Sequence, residues 1–204
     1  MSKNRLEAFS DGVIAIIITI LVLELRVPHE SELGALAGVL PVFLTYVLSF
    51  VYIGIYWNNH HHMFHLTDRI SGGILWANLH LLFWLSLVPF TTGWMGENHF
   101  AAVPTAVYGL NLLLCAIAYL ILQTVIIRHQ GHDSRLAAAV RHDMKGKLSG
   151  VLYVVAIALA FVNEYLADAI YVTVALIWLV PDRRIERHLR QDEEHAHSGR
   201  RTAT

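Results

Sequence analysis

Residues 4–25 read NRLEAFSDGVIAIIITILVLEL, and this stretch decides the fold. Its second half, Val13 to Leu23, is continuously apolar, whereas Arg5, Glu7, Ser10 and Asp11 crowd the first half. At about 1.5 Å per residue the stretch reaches roughly 33 Å as a helix, enough to cross a hydrocarbon core of about 30 Å. Pro28 disfavours helix in the residue before it and sets the stop. Lys3 and Arg5 ahead of an apolar run resemble a secretory leader. However, no small-residue cleavage pattern follows Leu23, so the segment reads as a retained first helix.

Successive residues of a helix are about 100° apart, and Ile16 serves as zero. Phe9 then lies at about +20°, Gly12 at about −40°, Thr19 at about −60°, Ile20 at about +40° and Leu23 at about −20°. These positions make one continuous stripe. Ser10, Asp11 and Glu7 fall at about +120°, −140° and 180°, away from it. Ionisable groups inside a span turn toward protein. Glu7 and Asp11 are like charges one turn apart, so they need donors from other helices. Arg5, Trp57, His60, His61 and Arg69 lie at a compatible depth. An apolar stripe in a lipid-embedded helix more often faces lipid or another helix than an aqueous path, so the wheel alone does not define a function.

The rest of the chain repeats the pattern. Of 204 residues 55% are hydrophobic and 15% charged, against about 25% charged in soluble domains. The charges gather at the N-terminus, at 128–147 and after Pro181. Six transmembrane helices are predicted, over about 4–25, 36–64, 70–90, 103–127 and 148–162, and, after a very short connection that begins at Asn163-Glu164, a sixth ending near 180. The third is predicted to end at Pro89 and a Thr91-Thr92-Gly93 turn. The fold class is therefore an all-α membrane protein, with a six-helix transmembrane domain over 1–182 and a charged, disordered cytoplasmic tail over 183–204. With both termini in the cytoplasm, 14 of the 15 lysines and arginines fall on the inner side, Arg26 being the exception. Trp57, Trp76, Trp94 and Trp178 sit near span ends, as in an aromatic belt. Near-zero net charge implies no nucleic-acid partner. The single cysteine, Cys115, excludes an intrachain disulfide.

The pattern Arg5-x-x-x-Phe9-Ser10-Asp11 followed by the apolar run to Glu24 resembles the signature first helix of the transmembrane protein 175 family of potassium channels. The likeness extends to the Tyr56-Trp57-Asn58-Asn59-His60-His61 end of the second helix. It implies a six-helix unit whose first helix lines a pore. Animal members carry two such units, and bacterial members carry one and assemble as homotetramers. This chain holds one motif, which implies the bacterial type and a bacterial plasma membrane. Matched from the motif, the family's constricting positions fall on Ile16, Thr19 or Ile20, and Leu23, all on the stripe.

The resemblance implies potassium and other monovalent cations as permeant partners, with no cofactor. Four copies would bring Ile16 side chains together at an axis, with Leu23 about 10 Å farther out. Ions crossing such apolar rings shed part of their water, and potassium sheds it more readily than sodium. Thr19 supplies a hydroxyl acceptor. No Thr-Val-Gly-Tyr-Gly filter occurs, so a ring of backbone carbonyls is excluded and modest selectivity is expected. Arg5, Phe9, Ser10, Asp11, Trp57 and His60 read as the signature and packing network rather than as ion ligands.

Two other readings were weighed. His61 and His65, one turn apart beside His60 and His62, form a candidate metal pair, which His129, His132 and His142 would approach. Membrane di-iron enzymes need several such clusters with carboxylates, so no metal and no enzyme are expected. Asp68, Asp133 and Asp143 have no matching nucleophile. A secondary transporter would show inverted repeats and helices broken at mid-membrane. Asn78, His80 and Asn111 are polar enough for a substrate site, but no repeat is visible, and Asn78 and His80 read instead as interhelical hydrogen-bond partners.

Overall fold

The computed structural model describes residues 2–25, 27–29, 31–131, 133–140 and 144–179, and every regular element among them is helical. Helix α1 (Lys3–Leu21) continues as a 3₁₀ turn (Val22–Glu24), and a second 3₁₀ turn (Leu33–Ala35) leads into α2 (Leu36–His65). Then come α3 (Gly72–Ser86), α4 (Val88–Glu97), α5 (Ala102–Gln130), α6 (Arg135–Val140), α7 (Met144–Leu159) and α8 (Glu164–Leu179). Four segments, 3–24, 33–65, 72–97 and 102–130, are long and apolar enough to cross a membrane. The tail assigned to 183–204 lies outside the described residues.

The third span departs from its sequence reading. Helix does not end at Pro89 but breaks at Leu87 and resumes through Thr91-Thr92-Gly93 to Glu97, which carries Trp94 inside α4. The break lets Pro89 occupy the first turn of a new helix, where its missing N–H would have no partner anyway. Polar side chains seal the gap. Thr91 Oγ1 donates to the Val88 carbonyl at 3.1 Å. Asn111 on α5, its amide oriented with Nδ2 donating to the Trp84 carbonyl (3.1 Å), accepts from Val88 N–H at 3.2 Å. Backbone groups freed inside a span need such partners. The short α6 was not foreseen. Its Leu136 enters the core, turning a predicted loop into a strap.

Two buried clusters hold the helices. One joins α1, the second half of α2, α3 and the second half of α5 through Leu6, Ile14, Ile17, Leu21, Phe64, Leu81 and Leu122. The other joins α2, the first half of α5, α7 and α8 through Tyr52, Tyr108, Tyr153 and Tyr171. Its tyrosines are clamped at both ends: Tyr52 Oη donates to the Tyr171 carbonyl (2.6 Å), and Tyr171 Oη to that of Thr105 (3.2 Å). Gly109 lets Tyr171 lie directly on α5, since a Cβ there would overlap the ring. Gly96 lets α4 approach α2 in the same way, within 2.8 Å of Val42 Cα for an added Cβ. Small residues permit the close backbone approach that lipid-embedded helices rely on.

Candidate functional site

The site is the two-sided first helix. Leu6, Ser10, Ile14, Ile17 and Leu21 are each at most 4% exposed. They lie at about +80° to +160° on the wheel, one face of the helix. That face docks onto α2 and α3. The stripe centred on Ile16 is left open: Phe9 is 48% exposed, Ile16 59%, Ile20 40% and Leu23 76%. Gly12 and Thr19 are exposed between them. A protomer that buries one face of α1 completely and leaves an apolar face bare has a surface suited to another partner.

Polar bonds fix which face is which. Ser10 Oγ donates to the Leu6 carbonyl at 2.9 Å, so its oxygen is left to accept. Asn78 Nδ2 on α3 donates to that oxygen at 2.9 Å. Asn78 Oδ1 is then the acceptor for His60 Nε2 on α2, 2.8 Å away, so His60 carries its proton on Nε2. All three residues are buried. The chain Leu6–Ser10–Asn78–His60 thus ties three helices together through buried hydrogen bonds.

Beside it, Trp57 Nε1 donates to Asp11 Oδ1 at 3.1 Å, and Lys3 Nζ to the His65 carbonyl at 3.3 Å. Trp57 in turn stacks on His61 (centroids 6.3 Å, planes 26° apart). Asp11 therefore finds its donor on α2. Arg5 is exposed at the N-terminal end of the stripe.

The C-terminal half of the stripe lies along a groove of about 760 Å³, whose walls are Ile16, Ile17 and Ile20 of α1 and Pro89, Phe90 and Trp94 of α4. Glu24 and Glu97 stand in the same groove. Glu24 folds against Gly93, where a Cβ would overlap its carboxylate. Thr19 Oγ1 donates to the Ile16 carbonyl at 2.9 Å, which leaves its oxygen lone pairs as acceptors on the exposed face.

Sequence reading left Arg5, Trp57, His60, His61 and Arg69 open as donors to Glu7 and Asp11, and the structure selects Trp57 for Asp11; Ser10 and His60 were placed in the network without their shared partner. Asn78 was read only as a generic interhelical partner. His80 is a correction: it accepts from Trp84 Nε1 at 2.9 Å on its own helix, because a partner one turn away competes with one across the interface. That Glu24 and Glu97 line one groove was missed, since they stand 73 residues apart in the chain. His61 and His65 are exposed one turn apart with ring centroids at 6.4 Å. Among the described residues no three metal-ligating side chains gather, and His132 and His142 lie outside them.

Comparison with known proteins adds a relationship across most of the chain. A family model described as "Endosomal/lysosomal potassium channel TMEM175" matches residues 5–89. A protein of Chryseobacterium sp. named as a potassium channel is 55% identical over 192 residues, covering 94% of this chain and 100% of that one. Another so named, from Streptomyces collinus, is 35% identical over 190 residues, covering 86% of this chain and 91% of that one. Among solved structures, the "lysosomal potassium-selective channel TMEM175 homolog from Chamaesiphon Minutus" superposes with a TM-score of 0.75 at 33% identity. That match covers 87% of this chain and 96% of the other.

Proposed function

The chain belongs to the TMEM175 family, and from that premise we propose that it is one subunit of a potassium-permeable channel. It is a multi-pass membrane protein. In this reading α1, α2, the α3–α4 pair, α5, α7 and α8 are six spans, with both ends in the cytoplasm, and residues 1–182 form the channel domain. Four copies surround an axis in a bacterial plasma membrane, with the open stripe of α1 facing inward. No cofactor takes part.

The observation that carries the reading is the bare apolar face of α1, where Ile16 is 59% and Leu23 76% exposed. The opposite face is locked by buried hydrogen bonds. A helix fixed on one side presents the other at a defined angle, which a ring of symmetry copies needs.

The mechanism follows from the chemistry along the stripe. Glu24 and Glu97 at the outer end raise the local cation concentration through their field. Leu23, Ile20 and Ile16 offer no ligand, so an ion passing them sheds water. The lower dehydration cost of potassium favours it over sodium, to a modest degree. Thr19 offers one acceptor to the partly bare ion. The polar network does not touch the ion; it holds α1 so that the four rings stay narrow.

The break at Leu87 is the one feature shared with secondary transporters. Thr91 and Asn111 satisfy its freed backbone groups, but Ser86 and Pro89 beside it line the groove, so this break is what keeps the transporter as the second reading. The test is ion flux from liposomes holding the purified protein, under separate potassium, sodium and proton gradients, with the oligomeric state measured in the same preparation. A tetramer that conducts potassium faster than sodium is the expected result. A monomer that exchanges a solute without potassium current would replace the channel with the transporter.

A further inference from the structure

A narrow cleft of about 50 Å³ lies between α2, α5, α7 and α8, and none of its described lining residues comes from α1. Its walls are the faces of Tyr56, Tyr119, Tyr153 and Trp178, with Ala116 leaving room between them. Tyr56 and Tyr119 meet edge to face, with centroids 6.1 Å apart. Among the described residues, none that lines it is charged.

The rim is different in character. Trp178 lines the cleft while its Nε1 donates to Ser149 Oγ at 2.8 Å. Lys145 Nζ stands 5.9 Å from the centre of the same ring. An aromatic slot inside a helix bundle, with an ammonium group at one end, matches one surrounding molecule in both halves. Long lysine stems keep their heads at the membrane surface, and basic rims between helices bind anionic lipid headgroups.

We propose that this cleft holds an acyl chain of an anionic phospholipid, with the lipid phosphate against Lys145. Leu120, 38% exposed on α5 and part of the lining, marks the side open to the bilayer. A zwitterionic lipid of equal chain length fits the slot but sets its choline against the lysine. The site therefore discriminates by headgroup charge.

The test is native mass spectrometry of the full assembly in detergent, with phosphatidylglycerol or phosphatidylcholine of identical chains added. Phosphatidylglycerol should be retained at up to one molecule per chain, with about fivefold preference, corresponding to the ~1 kcal/mol that one lysine contributes near an anionic headgroup. Lys145→Gln should abolish the preference while leaving phosphatidylcholine binding unchanged. Ala116→Phe, eluting as the native assembly, should lose both lipids. Equal retention of the two lipids by the unaltered protein would overturn the proposal. So would full displacement of phosphatidylglycerol by glycerol 3-phosphate, which has the headgroup charge and no chain. If Ala116→Phe does not assemble, the Lys145→Gln comparison decides alone.

Discussion

Ser10 on α1 and Asn78 on α3 meet at 2.9 Å, amide nitrogen donating to hydroxyl oxygen, and this bond decides how the first helix is turned. Ser10 is fully buried, and its own hydrogen is already taken by Leu6. Any rotation of α1 that moved the stripe would leave Asn78 Nδ2 without an acceptor. Through Asn78 Oδ1, His60 on α2 is held to the same setting.

Replacing Asn78 with leucine strips His60 and Ser10 of their shared partner while keeping bulk. The cost should be about 1–2 kcal/mol, as for a buried polar group left unmatched between lipid-embedded helices. Thermal unfolding of the detergent-solubilised assembly measures it. Ser10→Ala and Asn78→Ala combined should cost less than their sum by about 0.5 kcal/mol or more, because the two share one bond. Strict additivity would mean the two residues act separately.

Asp11→Ala removes the acceptor of Trp57. The expected loss is in assembly or open probability rather than in ion preference, since Asp11 lies off the stripe. Gel filtration and the potassium-to-sodium permeability ratio separate the two outcomes. Trp57→Phe should reproduce the effect. A changed ratio with intact assembly would place Asp11 in the ion path.

Glu24→Gln tests the outer groove. The carboxylate attracts cations by its field, and that attraction is screened beyond about 10 Å at 0.1 M salt. Potassium conductance should therefore fall at low ionic strength and recover toward the native value near 1 M. Gly93→Ala should give part of the same loss, because the new methyl displaces the Glu24 side chain folded against it. A reduction independent of salt would argue for a structural role.

How far the sequence alone reaches depends on the range of the interaction. The open stripe follows from a 3.6-residue period within one helix, so Phe9, Ile16, Ile20 and Leu23 were placed together before any coordinates. That Asp11 needs a donor at its own depth was legible too, but Trp57 was one of five candidates, and only the packing of α2 on α1 selects it. The Ser10–Asn78–His60 chain was only half legible, because which of several polar side chains pair depends on helix rotation. Local rules misled at Pro89. Proline and a Thr-Thr-Gly run ordinarily end a helix, but a one-residue break made the proline a starter, and Asn111, from a different span, completed the backbone bonding.

The pore assignment itself is tested by polar substitution on the stripe. Ile16→Asn puts an amide where an exposed sec-butyl group stood, and Leu23→Asn does so nearer the outer end. Neither side chain supports the protomer's core, so folding should be little affected, within about 0.5 kcal/mol as for other surface changes. A polar ring offers ligands to sodium and potassium alike and removes the dehydration difference between them. Permeability ratios from reversal potentials should thus move toward unity, more for Ile16→Asn because it lies deeper. Ile17→Asn, one residue away but 4% exposed in the packed face, should instead destabilise the assembly without relaxing selectivity. Equal ratios in the native protein and both stripe variants would take the stripe out of the ion path and leave its exposure to be explained by lipid.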